Sequence, residues 1–281
     1  MTTFSLALGA GGARGLAHLH VLRAFDDLGI RPQAMAGTSI GAIMAAGYCA
    51  GMDAREIEAF VEGRINNRLK LLQQIFRTVP SDFETFLRDG GLRIGELNLE
   101  RILEVFLPEQ IPMTFAQLRT PLAVVATKYH AETDAVFKTG SIRPALAASA
   151  SMPAVFLPVQ VGGEFHTDGS ATNPVPMNVI SPMADFTIGV DVAGGSLGEP
   201  GKRPHMVDVA YAANGLMQRT MARQMAEALD NATLLRAPVA QFRPLDFLKA
   251  RQILSETSSL HDETKRLIER LAASGERPRR S

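Results

Sequence analysis

Apolar residues along this chain fall into two alternating patterns, short runs of strand length and longer stretches in which they recur every three or four positions. The runs predict strands at 4–8, 34–37, 122–129, 135–138, 155–161, 185–192 and 232–236. The helical periodicity predicts helices at 15–28, 40–50, 54–62, 99–106, 142–150, 204–229, 247–257 and 261–272. Asp53 with Glu56 has the spacing of a capping box, and Gly29 is placed to stop the first helix. Strand and helix alternate from end to end, which is the signature of an α/β fold with three layers, a mainly parallel sheet carrying helices on both faces.

Two stretches break this rhythm. Residues 66–92 carry Leu69, Leu71, Leu72, Ile75, Phe76, Phe83, Phe86 and Leu87 with few strand signals, which suits either a cap or lid or a helix pair packed on the sheet. Residues 194–201 read as a mobile loop after a strand. The expected organisation is one domain over 1–281, with the insertion at 66–92 and a helical C-terminal extension at 204–281.

Composition narrows the class. The 281 residues are 46% hydrophobic, which suits one folded core. The 29 basic and 29 acidic residues cancel, arguing against a nucleic-acid partner. Cys49 is the only cysteine, so an internal disulfide or a cysteine-based zinc site is excluded, and its small neighbours suggest packing. The N-terminus lacks the basic residues of a signal peptide, and no apolar stretch reaches the ~18 residues of a membrane span. The expectation is a cytoplasmic protein or one peripheral on the inner membrane face, since any membrane contact must be peripheral.

The first candidate chemistry is Gly9-Ala10-Gly11-Gly12-Ala13-Arg14-Gly15, between a strand and an apolar helix. Backbone N–H groups of such a turn converge with a helix N-terminus on an anion site. A dinucleotide fingerprint would need glycine at Arg14 and an acidic residue near Thr38. A phosphate loop would need Lys and Ser or Thr where Leu16 and Ala17 stand. An oxyanion hole remains, or a turn that only allows close packing.

The second is Gly37-Thr38-Ser39-Ile40-Gly41, which matches the nucleophile elbow, a serine in a tight strand-to-helix turn. Such a pattern arises by chance in about one chain in ten, and Gly194-Gly195-Ser196-Leu197-Gly198 matches it too. Context separates them, because Ser39 joins an apolar run to a small-residue helix whereas Ser196 opens a loop. For a base, the six histidines are scattered and form no zinc motif; His205 and His261 could complete a triad only in principle. Asp168, in Thr167-Asp168-Gly169, is the better candidate, although an Asp-Gly pair is usually just a turn.

Taken together, Leu6 to Gly15, Ala36-Gly37-Thr38-Ser39-Ile40-Gly41-Ala42, Ser149-Ala150-Ser151-Met152-Pro153 and Thr167-Asp168-Gly169 with Asn173-Pro174-Val175-Pro176 resemble the patatin-like phospholipases, the bacterial serine acyl hydrolases included. The resemblance spans about residues 4–192. It implies a Ser-Asp dyad, with Ser39 as nucleophile, Asp168 as base, and backbone N–H groups of Gly11, Gly12 and Ala13 as the oxyanion hole. Arg14, Gly37, Gly41 and Gly169 support these, and no cofactor or metal is required. Ala10 and Ser170 depart from the commoner residues of the family. The implied substrate is a lipid ester, phospholipid or lysophospholipid; the rival reading is a regulatory or interaction protein that keeps the fold without turnover.

Overall fold

A computed structural model describes residues 2–63, 107–153, 155–195, 201 and 203–274. The insertion at 66–92, the expected helix at 99–106 and Ser196 lie outside them.

Eight strands form one sheet: β1 (Phe4–Leu8), β2 (Met35–Thr38), β3 (Leu122–Lys128), β4 (Thr133–Phe137), β5 (Val159–Val161), β6 (Glu164–Asp168), β7 (Phe186–Asp191) and β8 (Ala232–Arg236). Five are parallel in the order β3-β2-β1-β7-β8, while β4, β5 and β6 add antiparallel pairings at the β3 side. Among the described residues the α-helices are α1 (His18–Asp27), α2 (Ile40–Cys49), α3 (54–63), α4 (Ile142–Ser149), α5 (Met206–Glu227), α6 (Ala250–Glu256) and α7 (Ser259–Ser274). The molecule is thus α/β, with a sheet between helical layers, and none of its described helices is long and apolar enough to cross a membrane.

Strand alternation sets the two faces. Phe4, Leu6 and Leu8 of β1, Met35 of β2, Leu122 and Val124 of β3, and Phe186, Ile188 and Val190 of β7 enter a large core with α1, α2, α4 and α7. The other face is built of small residues, Ala7, Ala36 and Ala123, covered by Met177, Ile180 and Ala222 of α5. Ser5 and Thr187, also buried between them, satisfy each other at 2.8 Å.

Local signals held at several ends. Asp53 and Glu56 exchange side-chain to backbone bonds of 2.8 Å each, and Gly29, at φ +64°, follows α1. The first helix differs from expectation: residues Gly12–Ala17 form a tighter 3-10 turn, and regular α-helix begins at His18. The strand expected over 155–161 is confined to Val159–Val161, because the Val155 and Phe156 amides turn back onto the Met152 carbonyl. The alternation had not marked β6; Gly162 and Gly163, both at positive φ, make the hairpin that folds it onto β5.

This topology positions the site. From β1 the chain proceeds to β2 and β3 on one side and returns at β7 on the other, so the strand order reverses at β1. In open α/β sheets the crevice beyond the carboxyl ends at such a point is where ligands bind. The strand β4 occupies one edge of β3 from Val124 to Lys128, so around Val125 and Ala126 β2 and β6 share the other. There β2 ends with Thr38 opposite Val125, and β6 arrives from the opposite direction with Asp168 opposite Ala126, the next residue along. Two strand ends therefore meet head to head, with Ser39 following one and Asp168 closing the other.

Candidate active site

Ser39 is the residue between β2 and α2, held at φ 58°, ψ −127°, a region that side chains avoid. Such a conformation costs of order 1–3 kcal/mol and persists only where neighbours hold it. Here the Ser39 amide donates to the Ser149 hydroxyl at 2.8 Å, and that hydroxyl donates to the Val125 carbonyl at 2.6 Å. Ser149 thus fastens the turn to β3. Gly37 and Gly41 lie where a side chain would strike the backbone of Ala42 and of Leu8, so the turn closes against the end of β1.

Asp168 is almost fully buried; its carboxylate accepts the Ser170 amide at Oδ1 at 2.9 Å and lies near enough to the Ser39 hydroxyl for that group to bear on its pKa. Burial pushes its pKa above the usual carboxyl value, while the Ser39 and Ser170 hydrogen bonds restrain the rise. Gly169 must lack a side chain, because a Cβ there would sit 2.3 Å from the Val125 carbonyl oxygen and 3.0 Å from Thr38. The approach of β6 to β2 depends on it.

The glycine turn faces the same cleft. Gly9 and Ala10 donate to the Val190 and Pro174 carbonyls at 3.0 Å each, anchoring its start. Arg14, buried beneath it, donates from Nε to the Gly11 carbonyl at 3.0 Å. Because the peptide is trans, holding the Gly11 carbonyl toward Arg14 turns the Gly12 N–H the opposite way. The Gly11 and Gly12 amides donate to no described residue. Ala13 differs from expectation: its amide donates to the Pro244 carbonyl at 2.6 Å, so it is committed to the fold and is not a free oxyanion donor. Burial lowers Arg14 to about 10 against the opposing pull of Asp191, which leaves it charged at neutral pH.

The cleft encloses about 60 Å³, and Gly11, Gly12, Arg14, Ser39, Asp168 and Ser170 all line it. Its roof comes from a region without sequence signals: Tyr211, Asn214, Gly215 and Gln218 of α5, with Pro244. One clue was present, since a mid-helix glycine costs about 1 kcal/mol and suggests a close approach. A Cβ on Gly215 would indeed lie 2.6 Å from the Gly194 carbonyl oxygen. That carbonyl also accepts from Arg219 at 2.6 Å, tying α5 to the end of β7.

No histidine lines the cleft. His18 is buried against the Gly9 carbonyl and lowered by burial to about 4, hence neutral. His20 contacts the Leu254 carbonyl, His130 and His166 pack on aromatic rings, and His205 is exposed at the start of α5. His261 lies between Asp27 and Asp262 on the surface. Cys49 is buried with its thiol pKa pushed up, consistent with a packing role. Among the described residues no cluster of His, Cys, Asp and Glu could hold a metal ion.

Residues 6–180 match the family model described as patatin-like phospholipase. An uncharacterized NTE family protein of Mycobacterium tuberculosis is 32% identical over 195 residues, which are 69% of this chain and 50% of that protein. A patatin-like phospholipase domain-containing protein of Caenorhabditis elegans is 24% identical, with 89% of this chain covering 19% of the relative. The chain therefore spans half or less of the length of these curated relatives. Among solved structures, VipD from Legionella pneumophila overlays with a TM-score of 0.47 at 14% identity, over 94% of this chain and 67% of that one.

Proposed function

Because the chain belongs to the patatin-like phospholipase family, we propose that it is a serine acyl hydrolase of lipid carboxylic esters, with Ser39 as nucleophile and Asp168 as its base. The observation that supports this reading is the head-to-head meeting of β2 and β6 on one edge of β3, which brings Ser39 beside the buried Asp168 carboxylate.

The chemistry follows from those atoms. Asp168 takes the Ser39 proton as Oγ bonds to the ester carbonyl carbon. The carbonyl π electrons move onto oxygen, and the Gly11 and Gly12 amides stabilise the charge. Collapse breaks the bond to the leaving alkoxy oxygen, which receives the proton back from Asp168. The acyl group remains on Ser39 until water, losing a proton to Asp168, adds to its carbonyl carbon; the bond to Oγ then breaks, the acid leaves, and Asp168 returns the proton to Oγ. Burial suits Asp168 to this work, because a carboxylate with raised proton affinity is a better base near neutral pH.

A lipid substrate is consistent with the outer surface of the helix that roofs the cleft. On the face of α5 turned away from Tyr211, Asn214, Gly215 and Gln218, the side chains of Met206, Val209, Leu216 and Met217 are exposed. An exposed apolar stripe of this kind suits contact with an aggregate or bilayer. Labelling with a fluorophosphonate followed by peptide mapping tests the reading: modification at Ser39 supports it, and no label under conditions that label a control hydrolase favours a regulatory protein instead. Hydrolysis of p-nitrophenyl esters from two to twelve carbons tests the substrate class. Activity should rise with chain length, and a steady fall from acetate would remove the lipid assignment.

A further inference from the structure

At the end of the sheet opposite Ser39, a second cavity of about 460 Å³ opens between the starts of β2 and β3. That volume lies within the range of sites for small ligands, and the walls are mostly apolar, with Met35 and Leu122 inside and Phe115, Leu118, Ile180 and Met183 around them. Two cations stand at its border, Arg119 and Lys138, and none of the lining residues is acidic. The Arg119 guanidinium makes no hydrogen bond or ion pair with a described residue; its side chain lies across Gly51, where a Cβ would fall 2.6 Å from Nε and Nη1. Lys138 has only a long bond of 3.5 Å to the Val179 carbonyl.

We propose that this cavity binds a long-chain carboxylate, with its chain along the apolar walls and its head group at Arg119 and Lys138. Apolar walls select a hydrocarbon chain but do not distinguish an acid from an alcohol. Two cations on the lining, with no acidic residue among the described lining residues, do, since a carboxylate adds ion pairing to hydrogen bonds that an alcohol could also accept. The site is separate from the catalytic cleft, sharing none of its lining residues and lying about 13 Å from Ser39 along β2. Binding there requires no turnover, so the inference stands or falls independently of the proposed hydrolysis.

The chain contains no tryptophan, which makes the test direct. Met183→Trp places a lone donor at the cavity border, and dansyl-undecanoic acid supplies the acceptor. Saturable energy transfer is expected, displaced by laurate but not by dodecanol or inorganic phosphate, and unchanged when Ser39 carries a fluorophosphonate. Adding Arg119→Glu and Lys138→Glu should weaken binding about tenfold or more while the melting temperature and Ser39 labelling stay as in the parent. If the reversed pair fails to fold, Arg119→Gln with Lys138→Gln should give a smaller loss in the same direction. Absence of saturable transfer, equal displacement by dodecanol, displacement by phosphate alone, undiminished binding in the charge variants, or loss on labelling Ser39 would each overturn the proposal.

Discussion

At the scale of single residues, the site depends on a strained serine, the hydroxyl that holds it, and a buried carboxylate. Under the proposed mechanism, Ser39→Ala and Asp168→Asn should each lose essentially all ester hydrolysis, with losses that do not add in the double variant, because the two groups would act as one unit. Steady-state kinetics on the three proteins decides this. Ser149→Ala removes the acceptor of the Ser39 amide while leaving both reacting groups in place. It should reduce kcat far more than it changes KM. The raised pKa of Asp168 has two consequences of defined sign. The base must be ionised, so the acid limb of kcat/KM should lie above the ordinary aspartate range. The native state also binds this proton more tightly than the unfolded chain, so its contribution to stability is full below the usual carboxyl pKa and is lost as pH rises through the folded value. Asp168→Asn should therefore melt higher than the parent at neutral pH, and a calorimetric pH series would show the gap closing in acid.

Elements, rather than residues, decide whether Ser39 and Asp168 meet. Neither β2 nor β6 reaches across the site; their ends abut because β4 leaves them a single edge of β3. Gly169 sits at the junction. Gly169→Val would thrust a side chain at the Val125 carbonyl and draw Asp168 away from Ser39. Activity should fall by about a hundredfold or more, since a misplacement of roughly 1 Å has that effect, whereas fluorophosphonate labelling of a folded variant should merely slow. In the glycine turn, Gly12 has φ +59°, and a Cβ would stand 2.2 Å from the Pro244 carbonyl oxygen that receives the Ala13 amide. Gly12→Val should lower kcat by roughly a hundredfold to a thousandfold, the cost of losing an oxyanion donor. Normal turnover in that variant would remove the turn from the mechanism.

For the molecule as a whole, the chain beyond residue 203 both completes the sheet and closes the site. It supplies β8 at the edge, α5 as roof, and α7, whose Leu260, Leu267, Ile268 and Leu271 join the main core with Leu19, Leu22 and Phe25 of α1. Leu267→Ala should destabilise by about 2–5 kcal/mol, the range for emptying a buried leucine site, without altering kcat of the folded fraction. Denaturant unfolding with parallel kinetics checks both halves of that statement.

The local pattern was legible where neighbouring residues settle the outcome. Strand alternation marked β1, β7 and β8, the 3.6-residue period marked α2 and α5, and the capping pair Asp53 and Glu56 formed as spaced. Ser39 and the glycine turn could be singled out because tight turns impose residue types over a few adjacent positions. Asp168 was found by resemblance, since an Asp-Gly pair looks like any turn until a second strand end lies against it. Sequence spacing could not show that the Ala13 amide is spent on Pro244, that Ser149 fastens Ser39, or that Tyr211, Asn214 and Gln218 roof the cleft. Each of these contacts joins residues tens to hundreds of positions apart, and only the shared edge of β3 and the packing of α5 over the sheet bring them together.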